Sequence, residues 1–218
     1  MKPGTRNKTY YPLFLDVEGR LCVVIGGGQV AERKVRTLLA FGARVRVVSP
    51  KLTQGLGRLE GNEAIEHVAR HYREGDSEGS LLVIAATSSR TVNRQVREDA
   101  GRAGVLVNVV DDPDLCDFLA PSIVKKDPLV IAISTSGVSP GAAKRLRKEL
   151  ETAARLEYMP YVTLVGRFRI WLAHEVPDRR VRRRILRDLG RMEIGEVLQS
   201  GWDGLMRRFS PRAGGLEA

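Results

Sequence analysis

Three consecutive glycines and a small residue nearby form the first arrangement in the chain that could do chemistry. Gly26, Gly28 and Ala31 have the spacing G-x-G-x-x-A. In this pattern the first glycine allows a tight turn, the second lets the backbone approach a pyrophosphate, and the small third residue packs a helix against a strand. The N-terminus of that helix faces the same anion. The spacing predicts a dinucleotide site, and the alternative is a tight strand-to-helix turn without a ligand.

The acidic residue of a common NAD site is missing from its usual place. Such a carboxylate ends the second strand, ~20 residues beyond the glycines, and binds the ribose hydroxyls. Ser49, Pro50 and Lys51 occupy that place here. Because Ser49 could hydrogen-bond a ribose and Lys51 could favour a 2′-phosphate, these residues alone leave NAD and NADP open.

Two polar loops are further candidates. Asp111 comes directly after a predicted strand, where a carboxylate can act as a general acid or base in the crevice of an α/β sheet. The run of Asp111, Asp112 and Pro113 is also ordinary turn chemistry, so position alone leaves both interpretations open. The hydroxyl-rich residues 134–139 precede a predicted helix and could bind an anion, but simple capping of that helix is favoured.

An alternation of strands and helices positions these loops. Short apolar, β-branched runs predict strands over 21–25, 45–48, 65–72, 81–85 and 105–110. Apolar residues at helical spacing predict helices over 29–41 and 91–103. Strands that alternate with helices imply a parallel sheet covered on both faces, with a ligand crevice beyond the carboxyl ends of its strands.

The pattern changes in the second half of the chain. Two strands are predicted over 118–122 and 129–134, with a Lys-Lys-Asp-Pro turn between them. Ser139 and Pro140 have the residue types of a helix N-cap and a first helical position. A helix is therefore predicted over 141–156.

From residue 158 onward the sequence shows helical patterns, and residues 210–218 are expected to fray. The arginine-rich segment 179–191 keeps an apolar stripe, which favours packing against another helix or subunit. It holds no aromatic residue to stack on a base, which weakens a nucleic-acid interpretation.

The composition indicates a globular protein that attracts anions. The 218 residues include 36 Lys and Arg against 26 Asp and Glu, a net charge of +10. Such a charge attracts polyanions, which could be nucleic acid, an anionic membrane or a polycarboxylate small molecule. No apolar run approaches the ~20 residues of a membrane span, and the polar N-terminus predicts no secretory signal. With two distant cysteines and three histidines, neither a disulfide framework nor a zinc site is expected, and the cytoplasm is the default compartment.

Six short motifs occur in one order along the chain. They are YPLFL at 11–15, VIGGGQVAERK at 24–34, AAT at 85–87, NVVD at 108–111, FLAPS at 118–122 and SGVSP at 136–140. Each motif is modest alone, whereas the ordered set is specific. Over about residues 8–155 the chain resembles the precorrin-2 dehydrogenase family of sirohaem synthesis. That family includes the N-terminal part of sirohaem synthase and stand-alone dehydrogenase and ferrochelatase proteins.

The resemblance implies a reaction. Precorrin-2, a tetrapyrrole with eight carboxylates, loses a hydride to NAD and becomes sirohydrochlorin, and some members of the family then insert ferrous iron. The aspartate of the family's Asn-Val-Val-Asp motif falls on Asp111, which is the implied catalytic residue. The implied cofactor contacts, together with Gly26 of the glycine motif, are Gly28, Gln29, Val30, Ser49, Pro50, Lys51, Ala86 and Thr87. The family uses NAD without the usual acid, which favours NAD here.

The resemblance also implies an organisation. A Rossmann-like, NAD-binding domain is expected over 1–112, a dimerisation region over 113–150 and a helical domain over 151–218, in an α/β protein that forms a homodimer. Precorrin-2 is the implied partner, with no nucleic acid, no membrane and no bound metal. The rival interpretation is a basic Rossmann module that senses a nucleotide or binds nucleic acid without catalysis, and such a module needs no carboxylate in the crevice.

Overall fold

The chain divides into two compact units between Ala120 and Pro121. The computed structural model describes residues 8–209, without the side chains at positions 153, 155 and 156. The expected fraying of residues 210–218 lies outside this part of the chain. The domain boundaries expected near residues 112 and 150 stay predictions.

The first unit is built on a five-stranded parallel sheet with the strand order β3-β2-β1-β4-β5. Its strands are β1 (Leu21–Ile25), β2 (Arg44–Val48), β3 (Glu66–Val68), β4 (Leu82–Ala85) and β5 (Leu106–Val109). Its helices are α1 (Gln29–Ala40), α2 (Gln54–Gly61) and α3 (Arg90–Ala103), and a 3-10 turn spans Pro113–Leu115. The five predicted strands and two predicted helices are confirmed, and β3 is shorter than expected.

Helices cover both faces of the sheet, as the apolar runs predict. Residues alternate between two cores along β1, because successive side chains of a strand point to opposite faces. Cys22 and Val24 pack in one core with Ala31 and Val35 of α1. Val23 packs in the other core, which also contains Val96 and Ala100 of α3. Both cysteines are buried free thiols, and Cys22 is fully buried.

Helix α2 is absent from the sequence prediction. It begins after Thr53, whose hydroxyl oxygen accepts a hydrogen bond from the Leu56 amide at 3.2 Å. Three glycines lie among its eight residues, and glycine lowers helix propensity by about 1 kcal/mol relative to alanine. The helix is stabilised instead by burial of Leu56 in the core.

The second unit begins with a two-stranded antiparallel sheet, and here one prediction is wrong. The strands are β6 (Ser122–Lys126) and β7 (Leu129–Ile133), so β6 starts where a strand over 118–122 was expected to end. The predicted turn likewise narrows to Asp127 and Pro128. The physical reason is that Phe118 is held by the first unit: its carbonyl accepts a 2.9 Å hydrogen bond from Asn108 and its ring packs on the sheet.

Helices make up the rest of the second unit. They are α4 (Pro140–Ala153), α5 (Met159–Glu175), α6 (Arg179–Leu189) and α7 (Ile194–Phe209), with a π-helical segment at Ala154–Tyr158. Ser139 caps α4 as predicted, since its hydroxyl oxygen accepts from the Ala142 amide at 3.3 Å. The apolar stripe of α6 buries Ile185 and Leu189 in a core with Phe168. Within residues 8–209, no helix combines the length and apolar character needed to cross a bilayer.

Candidate active site

The carboxyl ends of all five parallel strands open into one cleft of about 570 Å³. The cleft is lined after β1 by residues 26–30, after β2 by Ser49 and Pro50, after β3 by His71 and Tyr72, after β4 by residues 86–89, and after β5 by Val110 and Asp111. Open α/β sheets bind their ligands in this place. One site therefore brings together the glycine loop, the residues after β2 and β4, and Asp111, whereas the hydroxyl-rich residues 134–139 do not line it.

The first two glycines are required by close packing of three strand ends. Gly26 has a φ of 119° and donates its amide hydrogen to the Val48 carbonyl at 2.9 Å. A Cβ at Gly26 would lie 2.6 Å from the Ala86 oxygen, and a Cβ at Gly27 would overlap the carbonyl of Lys51. Side chains are excluded at both positions by neighbouring backbone.

Gly28 differs, because a Cβ there would meet nothing within 4 Å. Gly28 is the N-cap of α1, and no side chain caps that helix. The first amides of α1 therefore begin beside an open part of the cleft, with the positive end of the helix dipole. This arrangement fits a pyrophosphate, which would accept hydrogen bonds from these amides.

The only acid in the first turn of α1, among the described residues, is held away from this position. Glu32 accepts a 2.6 Å hydrogen bond from the Thr53 hydroxyl and is bonded to Arg36 at 2.8 Å. The hydrogen bond from Thr53, followed by that from Arg36, lowers the pKa of the Glu32 carboxyl. Its negative charge is thus offset before it could repel a phosphate.

The loop after β2 is only partly as expected. Ser49 lines the cleft but its hydroxyl donates to the Lys51 carbonyl at 2.8 Å, so the donor expected to reach a ribose is already used. The Ser49 carbonyl lies 2.9 Å from His67 Nε2. Among the site residues predicted from the sequence, all of which are described, Lys51 alone does not line the cleft.

The loop after β4 is fixed by a buried asparagine. The Ala86 amide donates to the Ile25 carbonyl at 2.8 Å, which joins this loop to β1. The Thr87 hydroxyl lies 2.7 Å from Asn93 Oδ1, and Asn93 Nδ2 donates back to the Thr87 carbonyl at 3.1 Å. Ala86 and Thr87 both line the cleft.

Asp111 stands at the end of β5 in an uncommon backbone conformation. Its φ is 62°, in the left-handed region that glycine prefers, and its side chain is exposed. Its carboxylate forms no hydrogen bond or ion pair with the residues that the structure describes. Asp112 comes next but does not line the cleft. The structure therefore separates the two neighbouring carboxylates.

A buried thiol and a lysine hold the turn that carries Asp111. Cys116 Sγ accepts from the Val109 amide at 3.2 Å and lies 3.3 Å from the Asp112 carbonyl. Burial raises the pKa of the Cys116 thiol, so it stays protonated at neutral pH. Lys8 Nζ donates to the carbonyls of the turn at 2.8 to 3.2 Å. The sequence pattern gave no sign of either support.

The family comparisons match this geometry. A family model described as "Putative NAD(P)-binding" matches residues 13–122. The chain belongs to this NAD(P)-binding family. A second model, described as "Sirohaem biosynthesis protein central", matches residues 126–153. The resemblance drawn from the ordered motifs is confirmed, and so is a nicotinamide dinucleotide as the cofactor.

Relatives are found among the siroheme synthases. This chain is 38% identical to the siroheme synthase of Thioalkalivibrio sulfidiphilus, over 94% of this chain and 42% of that protein. It is 39% identical to that of Pseudomonas aeruginosa strain LESB58 over 95% of this chain and 45% of the relative. The chain thus spans less than half the length of these relatives.

A solved structure shares the fold. The protein "SirC, precorrin-2 dehydrogenase" matches with a TM-score of 0.77 and 22% identity, over 92% of this chain and 98% of that one. The predicted α/β class, with a Rossmann-like parallel sheet followed by a smaller region and helices, is confirmed.

Proposed function

We propose that the chain dehydrogenates precorrin-2 to sirohydrochlorin with NAD as the hydride acceptor. The observation that carries the proposal is that an unpaired carboxylate, Asp111, shares one cleft with a glycine loop built for a pyrophosphate. The names of the similar siroheme synthases and of the similar precorrin-2 dehydrogenase support this substrate. A nucleotide sensor would have no need of that carboxylate.

The backbone of Asp111 supports a functional role for its side chain. A left-handed conformation costs a non-glycine residue of order 1 kcal/mol or more, and such strain concentrates at functional sites. Here the strain is sustained by the Val110 amide, which donates to the Ala85 carbonyl at 2.9 Å, and by the Cys116 thiol. A glycine would relieve the strain at this position but would offer no carboxylate.

The residues divide the reaction between binding and proton transfer. Bound NAD supplies the two-electron acceptor to which the macrocycle loses its hydride. The amides at the start of α1 hold the pyrophosphate, and Asp111 accepts the proton that the macrocycle releases when the hydride leaves. The proton then passes to water. The net charge of +10 favours the approach of a substrate with eight carboxylates.

We propose NAD rather than NADP. Lys51, the residue that would favour a 2′-phosphate, does not line the cleft. The position after β2 also lacks the carboxylate that usually binds the ribose hydroxyls, so recognition of the ribose there is weak for NAD as well. Equal affinity for NAD and NADP in a titration of the purified chain would contradict this choice.

The active form is proposed to be a cytoplasmic homodimer. The two-stranded sheet of β6 and β7 supports dimerisation, because it packs on α4 and still leaves Leu129, Val130 and Ile131 half-exposed, as apolar surface that a second copy could cover. Two free buried thiols suit a reducing compartment. Sedimentation at micromolar concentration should give about twice 24.1 kDa.

Insertion of ferrous iron into sirohydrochlorin is a second proposed activity. Removal of pyrrole protons requires a base, and Asp111 lies free in the cleft to serve as one. Ferrous iron enters here as a substrate that binds the macrocycle. Insertion no faster than the enzyme-free reaction would restrict the protein to dehydrogenation.

The test of the main proposal is anaerobic incubation of the purified chain with precorrin-2 and NAD. Sirohydrochlorin should form together with one NADH per macrocycle, and the absorbance of each product measures its formation. Ferrous iron is added only after dehydrogenation is complete, which separates the two activities. If NAD binds and no sirohydrochlorin forms, the chain is a nucleotide-binding module and the enzyme proposal is wrong.

A further inference from the structure

Two aromatic side chains line the cleft at a place where the sequence predicted no site residue. His71 and Tyr72 follow β3, at one edge of the sheet, whereas Asp111 follows β5, at the other edge. From β3 the chain runs back along the face of the sheet that α3 covers, because the Tyr72 hydroxyl reaches Asp99 of α3 and that helix packs on β4 and β5. The glycine loop follows β1, in the middle of the sheet.

This order fixes the direction in which a dinucleotide would lie. Its pyrophosphate is placed at the centre by the start of α1, and its nicotinamide is placed toward Asp111 by the proposed chemistry. The adenosine half then extends toward the ends of β2 and β3. Its ribose falls near Ser49, and its base falls near the two rings.

The loop that carries the rings is held by an ion pair. The Arg70 guanidinium donates to both oxygens of Asp76 at 2.7 Å and to the His71 carbonyl at 3.0 Å. Asp76 also accepts from the Arg73 amide at 2.8 Å. Bidentate pairs of this kind fix geometry as well as adding energy. The loop is therefore ordered before a ligand arrives.

Tyr72 is held more tightly still. Its half-buried ring packs, with Val68 and Val92, against the core that contains Val96 and Ala100 of α3. Its hydroxyl donates to Asp99 Oδ2 at 2.6 Å, and the other oxygen of the buried Asp99 is bonded to Arg102 at 2.5 Å. Burial, followed by the hydrogen bond to Asp99, raises the pKa of the Tyr72 phenol. The Tyr72 hydroxyl therefore stays protonated at neutral pH and can donate its hydrogen bond.

We propose that His71 and Tyr72 form the platform on which the adenine base stacks, with Asp99 as the positioning residue that holds the Tyr72 ring. The inference rests on the proposed use of NAD. It also explains how the site manages without the usual carboxylate after β2, since stacking on the base replaces recognition of the ribose. Base stacking on an aromatic ring tolerates any base face and needs no charged partner.

Half-molecules of the cofactor test the platform separately from the rest of the site. Binding of AMP and of nicotinamide mononucleotide to the full chain is measured by calorimetry. Tyr72→Ala should weaken AMP binding by about 5- to 150-fold, the range found for loss of base stacking. His71→Ala should act in the same direction and leave the fold intact, because His71 is exposed. Neither variant should change the affinity for nicotinamide mononucleotide.

Tyr11→Ala is the matched control, since this tyrosine is exposed and lies outside the cleft. It should bind both half-molecules as the wild type does. If His71→Ala and Tyr72→Ala leave AMP affinity unchanged while the wild type binds NAD, the platform is wrong and the proposed function stands. If the wild type binds neither NAD nor AMP, the proposed function fails and the inference falls with it.

The positioning role of Asp99 requires a double-mutant cycle. Tyr72→Phe keeps the ring and removes the hydroxyl, so it should weaken AMP binding only a few-fold. Asp99→Ala should have a similar effect, and the double variant should lose no more than either single variant, because both remove the same hydrogen bond. Additive losses, or equal losses for the two half-molecules, would overturn the positioning role.

Discussion

Two loops follow buried parallel strands and are built in opposite ways. They are the glycine loop after β1 (residues 26–30) and the acidic turn after β5 (residues 111–116). In the glycine loop, backbone from two other loops comes so close that a Cβ is excluded at Gly26 and Gly27. In the acidic turn, a carboxylate-bearing residue occupies a backbone conformation that glycine would adopt more easily. Binding an anion through amides requires side chains to be absent, whereas accepting a proton requires one to be present.

The largest effect expected from this contrast is at Asp111. Asp111→Asn keeps the shape and removes the charge, so the rate of sirohydrochlorin formation should fall by roughly 10² to 10⁴. NAD affinity, measured by calorimetry, should not change, because the glycine loop is untouched. Asp112→Asn is the matched control and should retain the wild-type rate. If Asp112→Asn loses the rate and Asp111→Asn keeps it, Asp112 is the carboxylate that acts in the reaction and the role proposed for Asp111 is wrong.

The next effect separates two adjacent glycines. Gly28→Asp places a carboxylate where a helix N-cap is favourable, so the melting temperature should hold or rise. The same carboxylate would occupy the amides of α1 and repel the pyrophosphate, so NAD affinity should fall at least about 10-fold. Gly27→Ala should instead lower the free energy of unfolding by ~1–3 kcal/mol, because its Cβ meets backbone. Undiminished NAD affinity in Gly28→Asp would remove the loop from the site.

A smaller effect is expected at Cys116, whose thiol contacts the Val109 amide and the Asp112 carbonyl of the acidic turn. Cys116→Ala removes an acceptor of the Val109 amide and should cost about 1–3 kcal/mol of folding free energy. Dehydrogenation should slow while NAD affinity is kept, since only the turn loosens. Cys22→Ala, a buried thiol in the opposite core, is the control. Equal losses of rate in the two variants would show that Cys116 acts through stability alone.

The smallest effect is expected at Lys8. Lys8→Met removes three hydrogen bonds to carbonyls of the turn, but two of them are exposed and the third is only part-buried, so together they should contribute no more than ~1 kcal/mol. Chemical denaturation should detect a shift of that size. A loss of several kcal/mol would mean that the N-terminal segment is an integral part of the turn.

The contrast also explains which features the sequence could predict. The glycine spacing and the buried strands depend on local sequence. The strand before G-x-G-x-x-A and the helix after it were therefore predicted correctly. Asp111 was a candidate because it follows a strand directly, and the family resemblance, not its position, favoured it over turn chemistry. Its separation from Asp112 required the φ of 62°, which no spacing reveals.

Features that depend on distant contacts escaped prediction. Tyr72 is placed in the cleft through Asp99, which lies 27 positions further along the chain. The strand expected over 118–122 fails because Asn108 holds the Phe118 carbonyl. In each case a tertiary contact decides what local propensity leaves open.

Thr53, the cap of the helix that the sequence did not predict, has a consequence for motion. Its amide donates to the Gly27 carbonyl at 2.9 Å, and its hydroxyl reaches Glu32 on α1. A ligand that stiffens the glycine loop would therefore also steady the start of α2. Amide hydrogen exchange near Leu56 and Gly57 should slow when NAD is added, although neither residue lines the cleft. Binding of the cofactor would thus slow the local unfolding of α2, a helix whose residues do not line the cleft.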